Sequence, residues 1–340
     1  MSDIFNKLLI LRTPGIGPAK YNALLQKFGS VPDILATMCP SDELRDTVSA
    51  EMARADTLHI RYISDTDDLY PSALREIKNH PPVICVRGNP DILKRDMVSI
   101  VGTRHATAAG MEMVAEIAHE FALHNTVVVS GMAIGTDTAA HRGALRATNG
   151  AGTIAVLAGG ADYIWPTENE GLYWDIVACG AVISEMPVGY TPIATNFVQR
   201  NRIVAGLSHR LILGEADMKS GSMTTARFAS ELNREIWAIP SHPSDLRAFG
   251  PNSLIRDGVA RLCMGACDFF SESEKETNQK KNSKKIDDEN SLIDAIGTIP
   301  VSESVLAEIV KKSISEIKSE LVVLELSGLV RKTDGGYVRA

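Results

Sequence analysis

The chain has 340 residues, of which 44% are hydrophobic and 23% are charged, and its formal net charge is -7 at pH 7. This length exceeds one typical domain, so we expect two or three domains that bury a substantial core. The negative balance excludes a protein that coats nucleic acid through a broad basic field, although a local basic site remains compatible with it.

The amino-terminal segment, residues 1–65, has the apolar spacing of helices. Its first stretch, Met1–Leu11, is too weakly apolar for a signal peptide or a membrane span, which predicts a cytoplasmic protein without a membrane segment. The sequence Pro14-Gly15-Ile16-Gly17-Pro18-Ala19-Lys20 resembles a helix-hairpin-helix turn, in which glycines let the backbone approach a phosphate. The same residues also suit a tight connection between two helices, and both interpretations stay open.

Residues 66–272 contain six short apolar runs, each followed by a polar loop and separated from the next by a helix-length segment. The runs are Val98–Val101, Val127–Val129, Ile154–Leu157, Ala181–Ile183, Leu211–Leu213 and Ile236–Ile239. Runs of this kind predict parallel strands that are buried on both faces, in an α/β, Rossmann-like, doubly wound sheet. Ligands of such sheets bind at the carboxyl ends of the strands, where these polar loops lie.

Two of the loops have the composition of phosphate sites. Ser130-Gly131 leaves the second run and leads into a helix that we expect Asp137 to cap, and a helix amino terminus attracts anions. Ser220-Gly221-Ser222, next to Lys219 as an auxiliary cation, has the composition of a second anion-binding loop. Glycines in such loops also serve strand-to-helix packing alone, so each loop by itself leaves this alternative open.

Cationic side chains are expected beside these loops. Arg104 follows the first run, and Arg200-Asn201-Arg202 is placed at the start of a helix that ends near Leu207. Guanidinium groups suit phosphodiester oxygens because their planar donor geometry matches them. The sequence therefore predicts an anionic ligand at this edge of the sheet. Trp165 and Phe197 are candidates for stacking on bases, with core packing the favoured role of Phe197.

The carboxyl-terminal region begins with residues 273–290, which are rich in Ser, Glu, Lys and Asn and predict a disordered linker. Residues 291–340 have the pattern of a winged helix: a helix, a short extension over Thr298–Val301, two helices and a hairpin that turns at Gly335-Gly336. The third helix, Ser313–Leu326, has Glu316, Glu320 and Glu325 against one lysine. This face repels phosphate, which favours a protein-interaction module over a reader of DNA sequence.

Several catalytic classes lack their motifs. The chain has no Gly-x-x-x-x-Gly-Lys-Ser/Thr loop and no Gly-x-Gly-x-x-Gly after the first strand, which disfavours triphosphatases and standard dehydrogenases. Its histidines show no metal-ligand spacing, and its five cysteines contain no Cys-x-x-Cys pair. We therefore predict no metal, no cofactor and no catalytic residues, so that the protein is not an enzyme.

Nearly the whole chain resembles the DNA-processing protein A family, also called DprA or Smf. Each matching stretch is moderately specific, but their order and spacing together are highly specific. The stretches are Val101–Arg104, Ser130–Ala133, Asp137–Leu145, Trp165–Asn169, Asn196-Phe197, Arg200–Ser208, Glu215-Ala216, Ser220–Ser222, Thr225-Ala226, Gly250–Ile255 and Asp257-Gly258.

The resemblance implies a helical amino-terminal domain of SAM or helix-hairpin-helix type, a Rossmann-like core and a winged-helix tail. It further implies a homodimer that binds single-stranded DNA, protects it and helps to load the RecA recombinase in natural transformation. By motif match, the DNA contacts fall on Arg104, Asn201, Arg202 and the loop Ser220-Gly221-Ser222. Ser130, Gly131 and Lys219 join this set through the loop chemistry above.

The chain departs from the family pattern where Ile134 and Thr167 replace residues that are often basic, and at Thr136, Val198 and Ser241. Fewer cations weaken binding to single strands, since affinity follows the neutralised phosphates. Two alternatives remain. One is a phosphoribohydrolase of the lysine-decarboxylase-like type, whose glutamate is missing after Thr225. The other is a protein adaptor that does not need the arginines.

Overall fold

A nine-stranded sheet organises the first of two units, Met1–Glu272 and Ser273–Ala340, into which the chain divides in this computed structural model. The structure describes residues 3–270, 292, 295–297, 301–310, 312–333 and 336–339. The strands are β1 (Ile60–Ser64), β2 (Val83–Gly88), β3 (Met97–Val101), β4 (Val127–Ser130), β5 (Thr153–Val156), β6 (Ala181–Ser184), β7 (Arg210–Leu213), β8 (Glu235–Ala238) and β9 (Arg261–Leu262).

The spatial order of the strands is β1-β2-β6-β5-β4-β3-β7-β8-β9. The seven strands β6-β5-β4-β3-β7-β8-β9 run parallel to one another. Strand β2 pairs antiparallel with both β1 and β6. The six apolar runs of the sequence are therefore six neighbouring parallel strands, and the predicted doubly wound α/β fold is confirmed. Their carboxyl ends meet at one edge, which we call the carboxyl edge.

Helices cover both faces of the sheet. They are α1 (Asp3–Leu11), α2 (Pro18–Phe28), α3 (Val31–Met38), α4 (Asp42–Thr57), α5 (Ser72–Arg75), α6 (Ala108–Leu123), α7 (Thr136–Arg146), α8 (Glu170–Cys179), α9 (Ala194–Gly206), α10 (Gly221–Glu231) and α11 (Phe249–Arg256). Val98 and Ile100 pack with α6 and α7, while Val101 packs on the opposite face with α9 and α10. This alternation follows from the two-residue period of a strand.

The amino-terminal helices α1 to α3 enclose a small core around Ile10, Tyr21 and Ile34. The turn between α1 and α2 uses Gly15 at φ +77°, a conformation that favours glycine. The predicted helical segment of residues 1–65 also contains β1, which is an edge strand of the large sheet. The helices therefore belong to the same unit as the sheet.

A buried polar cluster ties α1 to the end of β1. Lys7 donates from Nζ to Ser64 Oγ and to Asp65 Oδ1, each at 2.6 Å, and His80 Nε2 lies 3.1 Å from Asp65 Oδ2. Burial opposes ionisation of Asp65, but the hydrogen bonds from His80 and Lys7 outweigh it and hold the pKa of Asp65 below its ordinary value. A depressed carboxyl pKa stabilises the fold above the ordinary pKa, and this contribution is lost as the pH falls.

Replacing Asp65 with asparagine is therefore expected to lower the free energy of unfolding by about 1–3 kcal/mol at neutral pH. The difference from the wild type should shrink as the pH falls below about 4, where the unfolded chain takes up its proton, and should vanish below the lowered pKa of Asp65 in the folded protein. Urea unfolding followed by tryptophan fluorescence measures this, since all three tryptophans lie in this unit. The control is Asp68→Asn, at an exposed position. An equal loss of unfolding free energy at neutral pH and at acidic pH would contradict the expectation.

The second unit contains α12 (Glu303–Val310), α13 (Ile314–Leu326) and the antiparallel strands β10 (Val330–Thr333) and β11 (Gly336–Arg339). Its core includes Leu306, Ile317, Leu321 and Tyr337. Val301 pairs with Tyr337 as the extension predicts, and Ser313 caps α13 together with Glu316. The winged helix is thus present. The predicted linker, residues 273–290, residues 298–300 and Gly335 lie outside the described residues. No described helix has the length and apolarity to cross a membrane.

Candidate functional site

A cavity of about 560 Å³ opens at the carboxyl edge of the sheet. We call it the edge cavity. It brings together six of the nine residues predicted to contact DNA, namely Arg104, Gly131, Asn201, Ser220, Gly221 and Ser222. The loops after β3 and β4, the middle of α9 and the start of α10 supply them. Residues far apart in the chain therefore converge here because parallel strands end at one edge.

One wall of the edge cavity is aromatic. The guanidinium carbon of Arg104 lies 5.1 Å from the centre of the Trp165 ring, and the Trp165 and Phe197 rings meet edge to face at 4.6 Å. Arg104 is exposed and has no ion-pair partner among the described residues. Its charge is therefore available to a ligand, while the contact with Trp165 holds it over the cavity.

The amino terminus of α10 also lines the edge cavity. Ser220 precedes the helix in an extended conformation, and the hydroxyl groups of Ser220 and Ser222 contact each other. The hydrogen bonds of the described residues leave the amides of Gly221 and Ser222 without an acceptor. Asn201 Nδ2 donates to the carbonyl of Gly221 at 3.1 Å, which fixes this end against α9. The wall presents amides and hydroxyl groups suited to an anion.

Arg200 forms the floor. Its side chain is buried and donates from Nη1 to the carbonyls of Gly131 and Val156, and from Nε to Asn201 Oδ1 at 3.2 Å. Burial lowers the pKa of Arg200 to about 10, so the group stays charged at neutral pH. The sequence placed Arg200 at the start of a helix, but α9 begins at Ala194, and Arg200 points inward from its middle.

Asp137 corrects a second expectation. The residue before α7 is Gly135, at φ +82°, and Asp137 lies inside the first turn of the helix. Its carboxylate accepts hydrogen bonds from the amides of Gly131 and Ala133, each at 3.2 Å. Burial raises the pKa of Asp137. The amides predicted to hold a ligand phosphate after β4 are therefore already bonded to a carboxylate of the chain.

Glu215 lies at the amino terminus of α6. Its carboxylate accepts from the amide of Thr107 at 2.7 Å and from the Thr107 hydroxyl at 2.6 Å, over the first turn of α6. Asp137 thus occupies the loop amides that precede α7, and Glu215 occupies the residue that caps α6. Of these three helix ends described at the carboxyl edge, α10 is the one without an internal carboxylate.

Three residues predicted to bind lie elsewhere. Ser130 is fully buried and donates its hydroxyl to the carbonyl of Ile100 at 2.7 Å. Lys219 is exposed beside α10 but does not line the edge cavity. Arg202 forms an ion pair with the buried carboxylate of Glu185 and donates to the carbonyl of Asn79 at 2.8 Å. Arg104 and Arg202 therefore line different cavities.

The sequence reasoning missed two functional features and misjudged a third. The sequence predicts Arg200 as a cation beside the loops, and not as a buried side chain. It offers Glu215 only as part of a matching stretch. Phe197 was expected in the core but lines the edge cavity half-buried. The seven-residue stretch Asn196–Arg202 contained the signal for Arg200 and Phe197, because residues three apart on a helix share a face.

Two family models match the chain. The model described as DNA recombination-mediator protein A matches residues 61–274, and the model described as DprA winged helix domain matches residues 276–336. The first match contains all residues of the edge cavity. Together the two matches include the sheet unit from β1 onward and most of the second unit.

Individual proteins named Smf or DprA are also similar to this chain. Protein Smf of Synechocystis is 39% identical over 203 residues, which are 58% of this chain and half of that protein (50%). DNA processing protein DprA of Streptococcus pneumoniae is 39% identical over 61% of this chain and 72% of its own. Protein Smf of Escherichia coli is 29% identical over 87% of this chain and 81% of its own.

Two solved structures share the fold. The X-ray structure of DNA processing protein A from Streptococcus pneumoniae has a TM-score of 0.66 and 32% identity, and the match covers 79% of this chain and 97% of that one. A structure of DNA processing protein A from Helicobacter pylori, described for its single-stranded DNA binding mode, has a TM-score of 0.57 and 30% identity. That match covers 64% of this chain and 98% of the other.

Proposed function

The chain belongs to the family described as DNA recombination-mediator protein A, and from this premise we propose that it binds single-stranded DNA at the edge cavity. The observation that carries the proposal is that aromatic rings and phosphate donors line the same cavity. Trp165 and Phe197 offer ring surfaces for a base, while Arg104 and the amides of Gly221 and Ser222 offer donors for a phosphate. A nucleotide unit has one group of each kind.

The walls favour a single strand over a duplex. The bases of a duplex are stacked and paired inside it, so that they cannot lie on Trp165 or Phe197 without being unstacked. The lining side chains that could read a base edge through a fixed pair of groups are engaged otherwise: the Asn201 amide is bonded to Gly221 and Arg200, Arg200 is bonded to backbone carbonyls, and Arg104 is assigned to a phosphate. Binding without strong sequence preference follows.

The biological role that we propose is the one that the family resemblance implies. The protein protects incoming single-stranded DNA in the cytoplasm and helps to load the RecA recombinase in natural transformation or recombination. It acts as a homodimer formed through the sheet unit. Exposed apolar side chains on one side of this unit, namely Met218, Leu246 and Phe249, support a protein contact there. Two strands bound side by side would gain avidity.

Removing one free cation tests the site. Arg104→Ala is expected to weaken binding of a fluorescent oligothymidylate about five- to tenfold and to reduce the salt slope by about one, because one phosphate contact is lost. Fluorescence anisotropy across a salt series measures both quantities. The matched control is Arg146→Ala on α7, an exposed arginine outside the edge cavity.

Competitors separate the alternatives. A single-stranded competitor should displace the probe at lower concentration than a duplex, and mononucleotides should displace it weakly and remain intact. Hydrolysis of a mononucleotide would instead support the phosphoribohydrolase alternative. If no polynucleotide binds at any salt concentration, the adaptor alternative gains support. Equal affinities of Arg104→Ala and Arg146→Ala would remove the edge cavity from the proposal.

A further inference from the structure

Helix α9 separates the edge cavity from a second cavity of about 480 Å³. Asn201, Phe197 and Val198 line the edge cavity, whereas Gln199 and Arg202 line the second one. The far side of the second cavity is the turn between α1 and α2, from Leu11 to Lys20. We call it the hairpin cavity. Its volume lies within the range of about 300–1,000 Å³ that is common for ligand sites.

The lining of the hairpin cavity is mainly apolar. Four prolines face it, together with Ile16, Val83 and Met186; the prolines are Pro18, Pro81, Pro82 and Pro187. The pyrrolidine rings and the methionine form rigid apolar surfaces without hydrogen-bonding side chains. Such surfaces suit the faces of unstacked bases, whose burial removes apolar area from water.

The charges at its mouth favour an anion. Glu185 is neutralised by Arg202, and Arg12 is neutralised by Glu51 through two hydrogen bonds of 2.7 Å. Lys20 is exposed at the rim and has no ion-pair partner in the described part of the chain. The unbalanced charge of the hairpin cavity is therefore positive. A strand of DNA matches an apolar slot with a cation at its mouth, whereas a purely apolar ligand leaves that cation unused.

We propose that the hairpin cavity holds a further segment of the same DNA strand that occupies the edge cavity. This inference rests on the proposed function. The two cavities share α9, and a helix with its side chains is about 10–12 Å across, so an extended strand crosses it within a few nucleotides. In this arrangement the bases lie against the prolines and Met186, and Lys20 neutralises a phosphate. Arg202 contributes by holding Glu185 neutralised beneath the strand.

Reversing the charge of Lys20 tests this path. Oligothymidylates from about 4 to about 16 nucleotides span the usual site sizes, and the wild-type affinity is expected to rise along this series once a strand reaches the hairpin cavity. Lys20→Glu should bind the shortest oligonucleotides like the wild type and bind the longest about tenfold more weakly. Lys27→Glu is the matched control, because it makes the same charge change on α2 outside the hairpin cavity.

A second readout follows the bases. An adenine analogue, 2-aminopurine, placed at successive positions of a long oligonucleotide reports where a base becomes buried through its fluorescence. Two separated groups of affected positions are expected in the wild type, and Lys20→Glu should lose one of them. If Lys20→Glu and Lys27→Glu behave alike at every length and position, the hairpin cavity does not hold DNA. Arg104→Ala should weaken binding at all lengths, whereas Lys20→Glu should weaken binding of the longest oligonucleotides. Failure of the hairpin cavity is therefore distinguishable from failure of the edge cavity.

Discussion

Replacement of Arg200 by methionine is expected to lower the free energy of unfolding by about 3–5 kcal/mol, because removing one member of a set of buried charges leaves the others uncompensated. The carbonyls of Gly131 and Val156 lose their donor, and the buried carboxylate of Asp137 loses its nearest compensating cation. Urea unfolding at neutral pH measures the loss.

The pH dependence identifies the cause. Burial already raises the pKa of Asp137, and loss of Arg200 raises it further. A carboxyl whose folded pKa is raised destabilises the fold as the pH rises through that value, so the deficit of Arg200→Met should shrink in acid. Adding Asp137→Asn should recover part of the loss at neutral pH. The exposed Arg227→Met is the control, and a deficit independent of pH and of Asp137 would refute the explanation.

Loss of the Trp165 side chain is expected to weaken single-strand binding by about 1–3 kcal/mol, or about 5- to 150-fold, which is the range for one base stacked on an aromatic ring. Trp165→Ala removes the ring that faces the edge cavity and also the support of the Arg104 guanidinium. Anisotropy with a single-stranded probe measures the change.

The matched variant for this experiment is Trp165→Phe, which keeps a ring against Phe197 and Arg104 and should retain most of the affinity. Circular dichroism during urea unfolding shows whether either variant has lost stability. A folded Trp165→Ala protein with wild-type affinity would show that bases do not stack in the edge cavity. Trp174→Ala, an exposed tryptophan outside the cavity, controls for the loss of a surface ring.

The strands of the sheet were predictable because parallel strands covered on both faces must be apolar along their length. Each of the six runs, such as Val127–Val129, agrees with a strand to within one or two residues. The antiparallel edge was less visible. Strand β1 falls within the segment predicted to be helical, because Ile60–Ser64 is short and includes Arg61.

The site was predictable only to the level of the loops. Arg104, Asn201 and Ser220–Ser222 meet at one cavity because strand order brings their loops together. Arg200 and Arg202 part because residues two apart on a helix do not share a face, and the sequence did not show that α9 begins at Ala194. Whether a loop amide is free or bonded to a carboxylate such as Glu215 depends on tertiary contacts 108 residues apart, which local pattern does not contain.

Asp137 and Glu215 also affect how a single strand of DNA would be positioned at the carboxyl edge without contacts to its bases. Each places a negative group against loop amides at the carboxyl ends of β4 and β3, the strands that precede β7 and the α10 end in the order of the sheet. A phosphate displaced toward α6 or α7 meets a like charge instead of an amide. In the proposed complex these carboxylates disfavour the neighbouring positions of the strand, a form of discrimination that needs no additional attractive contact.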